Sequence, residues 1–306
     1  MALRSLDNAL PLSPERPKKI AKVAANLIRS PPESVVNDEN TAPMDPTPEY
    51  AASHDLKALP EPEAKLQGLL NNLDSKDWMV VCEALTDVRR LSLRHTPLLV
   101  PILDKVVLVL VKCMKSPRSA LCKTSLLASA DIFQCFGHLL LSPPTSEAFD
   151  QLLLRLLLTA SQDKKFVCEE AHKALLTMAA SLPPCPLLQR LASYVKHTNP
   201  KVRAKAAVSI SNCISNMTHE GMKEFGLSNL IKIAADLLND RLPEARDAAR
   251  STGKSVYEAF MGDLEQEKTT GTEVAEPWQD FCSSNLPAIS AQAMISSVLN
   301  VSAFRS

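Results

Sequence analysis

Five short turns recur along this chain, and each opens a helical stretch that becomes basic within one or two turns. They are Asp77-Trp78, Ser116-Pro117-Arg118, Asp163-Lys164-Lys165, Asn199-Pro200-Lys201 and Asp240-Arg241. Their first residues lie 39, 47, 36 and 41 positions apart. All five are Asp, Ser or Asn, whose side-chain oxygens can accept from the unpaired N–H groups at a helix start. Pro117 and Pro200 follow one place later, where a helix loses nothing by a missing N–H. Paired helices repeating at about 40–47 residues form stacked arrays. Such a stack brings its equivalent turns to one edge, so distant fragments become one surface.

Composition divides the chain into parts. Residues 1–60 cluster proline (Pro11, Pro14, Pro17, Pro31, Pro32, Pro43, Pro46, Pro48) among few large apolar groups. Burial there cannot offset chain entropy, and the segment is expected to be a disordered arm. Residues 61–262 are rich in Leu, Ala and Val and poor in glycine, which predicts an all-helical domain long enough for an extended core. Residues 263–276 are acidic and polar, and 277–306 carry a short apolar pattern expected to give one amphipathic helix near 288–300. That helix would dock on the last repeat as a cap or meet a partner. The formal charge of zero conceals 25 basic against 20 acidic residues over 61–262. An excess that small suits nucleic acid only if concentrated, and no nucleic-acid partner is expected.

The 3.6-residue period predicts five helix pairs: 61–73 with 77–94, 98–115 with 117–141, 146–161 with 164–181, 184–197 with 200–218, and 223–239 with 241–261. In 77–94, Val80, Val81, Ala84, Leu85, Val88 and Leu91 recur at three and four, with Glu83, Asp87, Arg89 and Arg90 opposite. Links between pairs carry Pro97, Pro143-Pro144, Pro183-Pro184 and Gly221, whereas turns within pairs are short and charged. The expected fold is all-α, a HEAT-repeat α-solenoid of five antiparallel pairs with disordered flanks.

The stretch Lys76-Asp77-Trp78-Met79-Val80-Val81-Cys82-Glu83-Ala84-Leu85-Thr86-Asp87-Val88-Arg89-Arg90-Leu91 resembles the opening of TOG domains, most closely those of the CLIP-associating proteins and the Crescerin group. Arg118-Ser119 with Lys123 resembles the family's basic second loop, and Leu242-Pro243-Glu244-Ala245-Arg246-Asp247-Ala248-Ala249-Arg250 its last loop and helix. The likeness covers about residues 61–261. It implies a HEAT stack whose turn edge binds tubulin or microtubules, with Trp78 as apolar anchor. Arg118, Lys123, Lys164, Lys165, Lys201, Arg203, Arg241 and Arg246 would be the charged set. The family carries a sixth helix pair, for which residues 263–306 offer a poor pattern. Where an aromatic anchor dominates an interface, surrounding charges mainly set encounter rate and salt dependence.

Other readings stay open. Trp78 fits either a contact or the core of the first repeat, and a general HEAT or armadillo scaffold for protein partners is the alternative function. No enzyme is expected: the chain has no phosphate-binding glycine loop, and Cys168 with His172 lacks a third orienting group. The scattered histidines and eight cysteines show no metal-ligand spacing, so no cofactor or metal is expected. The cysteines fit reduced thiols packed as small hydrophobes. Without an N-terminal apolar run or a span-length apolar segment, neither secretion nor membrane insertion is expected. The expected place is the cytoplasm, on the microtubule cytoskeleton. In the arm, Ser13-Pro14-Glu15-Arg16 has a proline-directed phosphorylation shape, with Ser30-Pro31 and Thr47-Pro48 weaker. Phosphate at Ser13 would oppose any attraction exerted by Arg16, Lys18, Lys19 and Lys22.

Overall fold

Capping chemistry and apolar periodicity set the helices of this protein, described here by a computed structural model for residues 50–267 and 275–302. The helices are α1 (Pro62–Leu73), α2 (Trp78–Arg94), α3 (Thr96–Leu99), α4 (Leu103–Cys113), α5 (Ser119–Leu140), α6 (Ser146–Ala160) and α7 (Lys165–Ser181). They continue with α8 (Pro184–Ala192), α9 (Pro200–Ser215), α10 (His219–Phe225), α11 (Leu227–Leu237), α12 (Pro243–Glu267), α13 (Ala275–Asn285) and α14 (Ala288–Ser302). The described residues contain no strand. None of their helices is long and apolar enough to cross a membrane.

Asp77 and Asn199 act as the expected N-caps: their side chains accept from Met79 N and Lys201 N at 2.9 Å each. Two other turns use the same chemistry one step earlier. Ser116 Oγ accepts from Arg118 N (3.2 Å) and Asp240 Oδ1 from Leu242 N (2.9 Å), so each closes the turn before its helix begins. Pro101 and Gly226 split two helices expected to be continuous. Gly226 has φ of +97°, a left-handed conformation that L side chains rarely adopt, and it separates α10 from α11.

The helices form two layers. In one, α2, α5, α7, α9, α12 and α14 pack in succession. The other contains α1, α4, α6, α8, α11 and α13, each packed on the following member of the first layer. One continuous apolar cluster runs between the layers from Leu59 to Val298. This is the expected helical-repeat solenoid, but its C-terminal end differs from the sequence reading. α12 continues into the acidic stretch expected to be linker, as far as Glu267, and residues 275–302 supply two helices in place of one. Trp278, Cys282 and Met294 are fully buried there. Trp278 stacks on Phe281 (centroids 5.5 Å) and meets Tyr257 edge-on at 5.1 Å. A Cβ at Gly253 would sit 2.6 Å from Met294 Sδ, so α14 packs directly on the α12 backbone. Short residues and aromatic rings make this junction, rather than a clean 3.6-residue pattern.

The opposite end also departs from expectation. The arm expected to be disordered to residue 60 is fixed from residue 50 onward, with Leu56 and Leu59 buried. Arg89 explains the attachment. Its Nε donates to Asp131 Oδ2 (2.6 Å) and its Nη1 to Ala51 O (2.9 Å), while Ser53 Oγ donates to the other Asp131 oxygen. An α2–α5 ion pair almost fully out of water thus completes its hydrogen bonding with the incoming chain. Ser13 and the rest of the arm to residue 49 lie outside the described residues.

Candidate functional site

The short intra-pair turns meet one another in sequence along the stack. Arg118, at the start of α5, lies over the Trp78 ring of the preceding turn, 5.1 Å from its centroid. A cleft joins the second turn to the third, lined by Ser116, Pro117, Gln162 and Lys164. Lys201 of the fourth turn reaches back to Asp163 of the third (Nζ–Oδ1 2.7 Å). Arg203 and Asp240 join the fourth turn to the fifth (Nε–Oδ2 2.6 Å). Five turns thus follow one another along the edge, the second and third facing each other across the cleft.

Trp78 stands at the first position of α2, partly exposed, with its inner face packed on the core. It is therefore both a core-edge residue and a surface one. Arg118, Lys164, Lys165 and Arg241 are exposed at the turn tips. Lys165 has only a distant helical partner, Glu169, at 3.9 Å. Lys201 is exposed too, but its ammonium is held by Asp163.

The other three cations face inward. Arg203 clamps Asp240 and donates through Nη1 to the carbonyl of His197 (2.8 Å). Arg246 donates through Nη1 to the carbonyls of Asp240 (2.8 Å) and Arg241 (3.1 Å), so it closes the fifth turn. Lys123 lies half-buried one turn into α5, its ammonium 4.3 Å from the centroid of Tyr50. These positions fix the edge, while the tip residues give it its outward charge.

The carboxylates of the edge are already occupied. Hydrogen bonding from Lys112 holds the Asp74 carboxyl below its usual range, and Lys201 does the same for Asp163. At Asp240 burial pushes the carboxyl up, but the Arg203 hydrogen bond, the Leu242 N–H and the charges of Arg203 and Arg246 together hold it low. With these acids neutralised locally, the exposed tips present net positive charge.

One feature of the edge had only a faint sequence signal. Phe166, the second residue of α7, is 46% exposed beside Lys164 and Lys165. It directly precedes the buried Val167. An apolar residue between a basic pair and the buried face was the available clue, but a lone aromatic in a helical run ordinarily reads as core.

Nucleophile chemistry finds no support in the thiols. Burial pushes Cys113, Cys213 and Cys282 up to about 12. Cys168 Sγ donates to the Ala160 carbonyl (2.9 Å). No group of three His, Cys, Asp or Glu able to hold a metal ion occurs among the described residues.

A two-layer helical stack with its intra-pair turns joined along one edge is a HEAT-type solenoid of the TOG kind. Residues 75–265 match the family model described as CLASP N terminal, and the chain belongs to that family. Among solved structures it is similar to the TOG domain of C. elegans Zyg9, with 16% identity, a TM-score of 0.55, and coverage of 77% of this chain and 82% of that one. It is also similar to the MAST/Orbit N-terminal domain (18% identity, TM-score 0.52, 77% and 97% covered). A Crescerin TOG domain gives 15% identity and a TM-score of 0.53, with 76% and 88% covered. At these identities the likeness is one of fold.

Proposed function

We propose that this chain is a microtubule-associated binding module that engages tubulin or the microtubule lattice through its turn edge, placing it on the cytoskeleton. The observation that carries this reading is the joined edge itself: a partly exposed Trp78 under Arg118, followed by exposed cations at Lys164, Lys165 and Arg241. An apolar anchor amid positive charge suits an acidic protein surface. Membership of the CLASP N-terminal family supports it, and so does the fold shared with a Crescerin array described as regulating microtubules in the primary cilium. A second reading, a scaffold for other proteins, draws on a groove of about 650 Å³ between α9 and α12, lined by Val208, Ser211, Leu242 and Ala248.

The full chain should co-sediment with microtubules or elute with free tubulin on gel filtration. Arg118→Glu with Arg241→Glu should weaken that binding at least tenfold, while exposed changes like these move stability by only about half a kcal/mol. Binding should also fall with salt, since the Debye length shrinks from about 10 Å at 0.1 M to about 3 Å at 1 M. Unchanged affinity in the double variant would refute the edge as the binding surface, and a wild type that binds neither microtubules nor tubulin would leave the scaffold reading.

A further inference from the structure

Successive repeats of this solenoid are tied by ion pairs between residues about one repeat apart. Asp74–Lys112 (2.7 Å) and the buried Arg89–Asp131 join the first pair to the second. Arg190–Asp150 (2.9 Å) and Lys201–Asp163 (2.7 Å) join the third to the fourth. Arg203–Asp240 and Lys205–Glu244 (2.6 Å each) join the fourth to the fifth, and Lys223–Asp263 (2.5 Å) lies within the fifth, between α10 and α12. Among the described residues, no ion pair crosses from the second pair to the third. Helix starts explain the omission. α7 begins at Lys165 and α9 at Pro200, so Phe166 occupies the position that Lys201 holds in the next repeat. α5 begins at Ser119, so Pro117 stands where the following turn has Asp163. Neither half of the bridge is present.

At this junction lies a cleft of about 410 Å³, opening between the second and third turns. Lys115, Arg155 and Lys164 contribute to its walls, with Cys122 at the base. Arg155 comes from α6. Among the described residues its buried Nε has no hydrogen-bond acceptor and its side chain forms no ion pair. Burial raises the Cys122 thiol, while the charges of Lys164 and Arg155 pull the other way, so both cations act on the cleft base. Arg155 as a whole is half-buried, but its Nε is shielded from water, and buried donors are almost always satisfied. Its planar fork fits a carboxylate.

We propose that the cleft between the second and third turns is a carboxylate-binding site, in which an Asp or Glu side chain of the acidic partner pairs with Arg155, flanked by Lys115 and Lys164. The partner supplies the acid that Pro117 omits, completing from outside a junction that no ion pair of the described residues bridges. This rests on the edge-binding reading above, names the group recognised there and gives Arg155 a role that its place on α6, away from the turns, concealed.

Two measurements on the full chain test it separately from that reading. In tubulin titrations Arg155→Gln should weaken binding about tenfold, with its melting temperature unreduced because an unpartnered cation has been removed. Arg155→Lys should recover part of the affinity. In isotope-labelled wild-type protein, glutarate as a carboxylate probe should shift the Arg155 Nε–H resonance, and inorganic phosphate should do so less. Equal tubulin affinity for wild type and Arg155→Gln overturns the proposal and leaves edge binding intact. So does a resonance that glutarate does not move, or that phosphate moves more. A glutarate shift without tubulin binding by the wild type would uphold the site and refute tubulin as the partner.

Discussion

Trp278→Ala offers a test of how the last two helices are held. The side chain is fully buried against Tyr257, Phe260 and Phe281, with centroids 5.1, 5.8 and 5.5 Å away. A buried tryptophan removes about 200 Å² from water, about 5 kcal/mol at 25 cal/mol per Å². Large-to-small changes of this kind cost about 3–5 kcal/mol. The indole Nε1, however, is buried without an acceptor, a penalty of about 1–3 kcal/mol already borne by the wild type. The net loss on truncation should therefore be about 3 kcal/mol. At about 2–4 °C per kcal/mol for a domain of this size, melting should fall by about 6–12 °C. Trp278→Phe keeps an aromatic ring and removes the orphan donor, so it should melt within about 3 °C of wild type, the two terms nearly cancelling. Circular dichroism melts of the three proteins decide the matter. A Trp278→Ala melt indistinguishable from wild type would show that α13 and α14 do not share the core. A Phe variant as damaged as the Ala one would refute the argument from the unpaired N–H.

Trp78→Ala, at the edge where only one face of the indole packs, should lose about 2 kcal/mol of tubulin affinity in a binding titration, with a smaller stability loss than Trp278→Ala; unchanged affinity would make Trp78 structural. Phe166→Ala should raise or preserve melting temperature yet weaken binding about threefold to tenfold, and equal binding would remove it from the edge surface. Asp240 has a folded pKa below its ordinary 3.8, so its stabilising contribution is complete above the unfolded carboxylate range and is lost as pH falls through the folded value. Wild-type melting should hold from pH 7 to 5 and drop below about pH 4, and Asp240→Asn should narrow the difference between pH 7 and pH 3. An unchanged pH profile in Asp240→Asn would assign the acid sensitivity to other carboxylates.

The helical array was legible in the sequence because its signals were local. Val81, Ala84, Leu85, Val88 and Leu91 are all buried as their 3.6-residue spacing requires. Turn register was less legible, since Ser and Asp accept from a turn N–H as readily as from a helix N–H. Ser116 and Asp240 did the former, displacing two helix starts by a residue or two. The final pair was hidden because ring stacking and a Met294 contact at Gly253, rather than periodicity, fasten it. At the candidate site, charge type was readable but direction was not. Arg203 and Arg246 turn inward toward carbonyls that come within reach only when the turns close. Arg155 gave no sign at all, because its significance depends on what its neighbours lack.

The spacing of the inter-repeat ion pairs has a mechanical consequence. Each bridge ties two adjacent turns at their tips, so among the five turns the joint between the second and third is held by the packing of α5 on α7 without an ion pair of the described residues. That joint is the unbridged contact between the second and third turns, where the cleft replaces a pair of opposite charges. When the edge meets a surface of different curvature, the tips of these two turns have no ion pair among the described residues to hold their separation. Spin labels at Ser116 and Gln162 should report a broader distance distribution than labels at Gln162 and Thr198, whose turns are pinned by Asp163 and Lys201. Loading the joint with an acidic ligand should narrow the first distribution and leave the second unchanged.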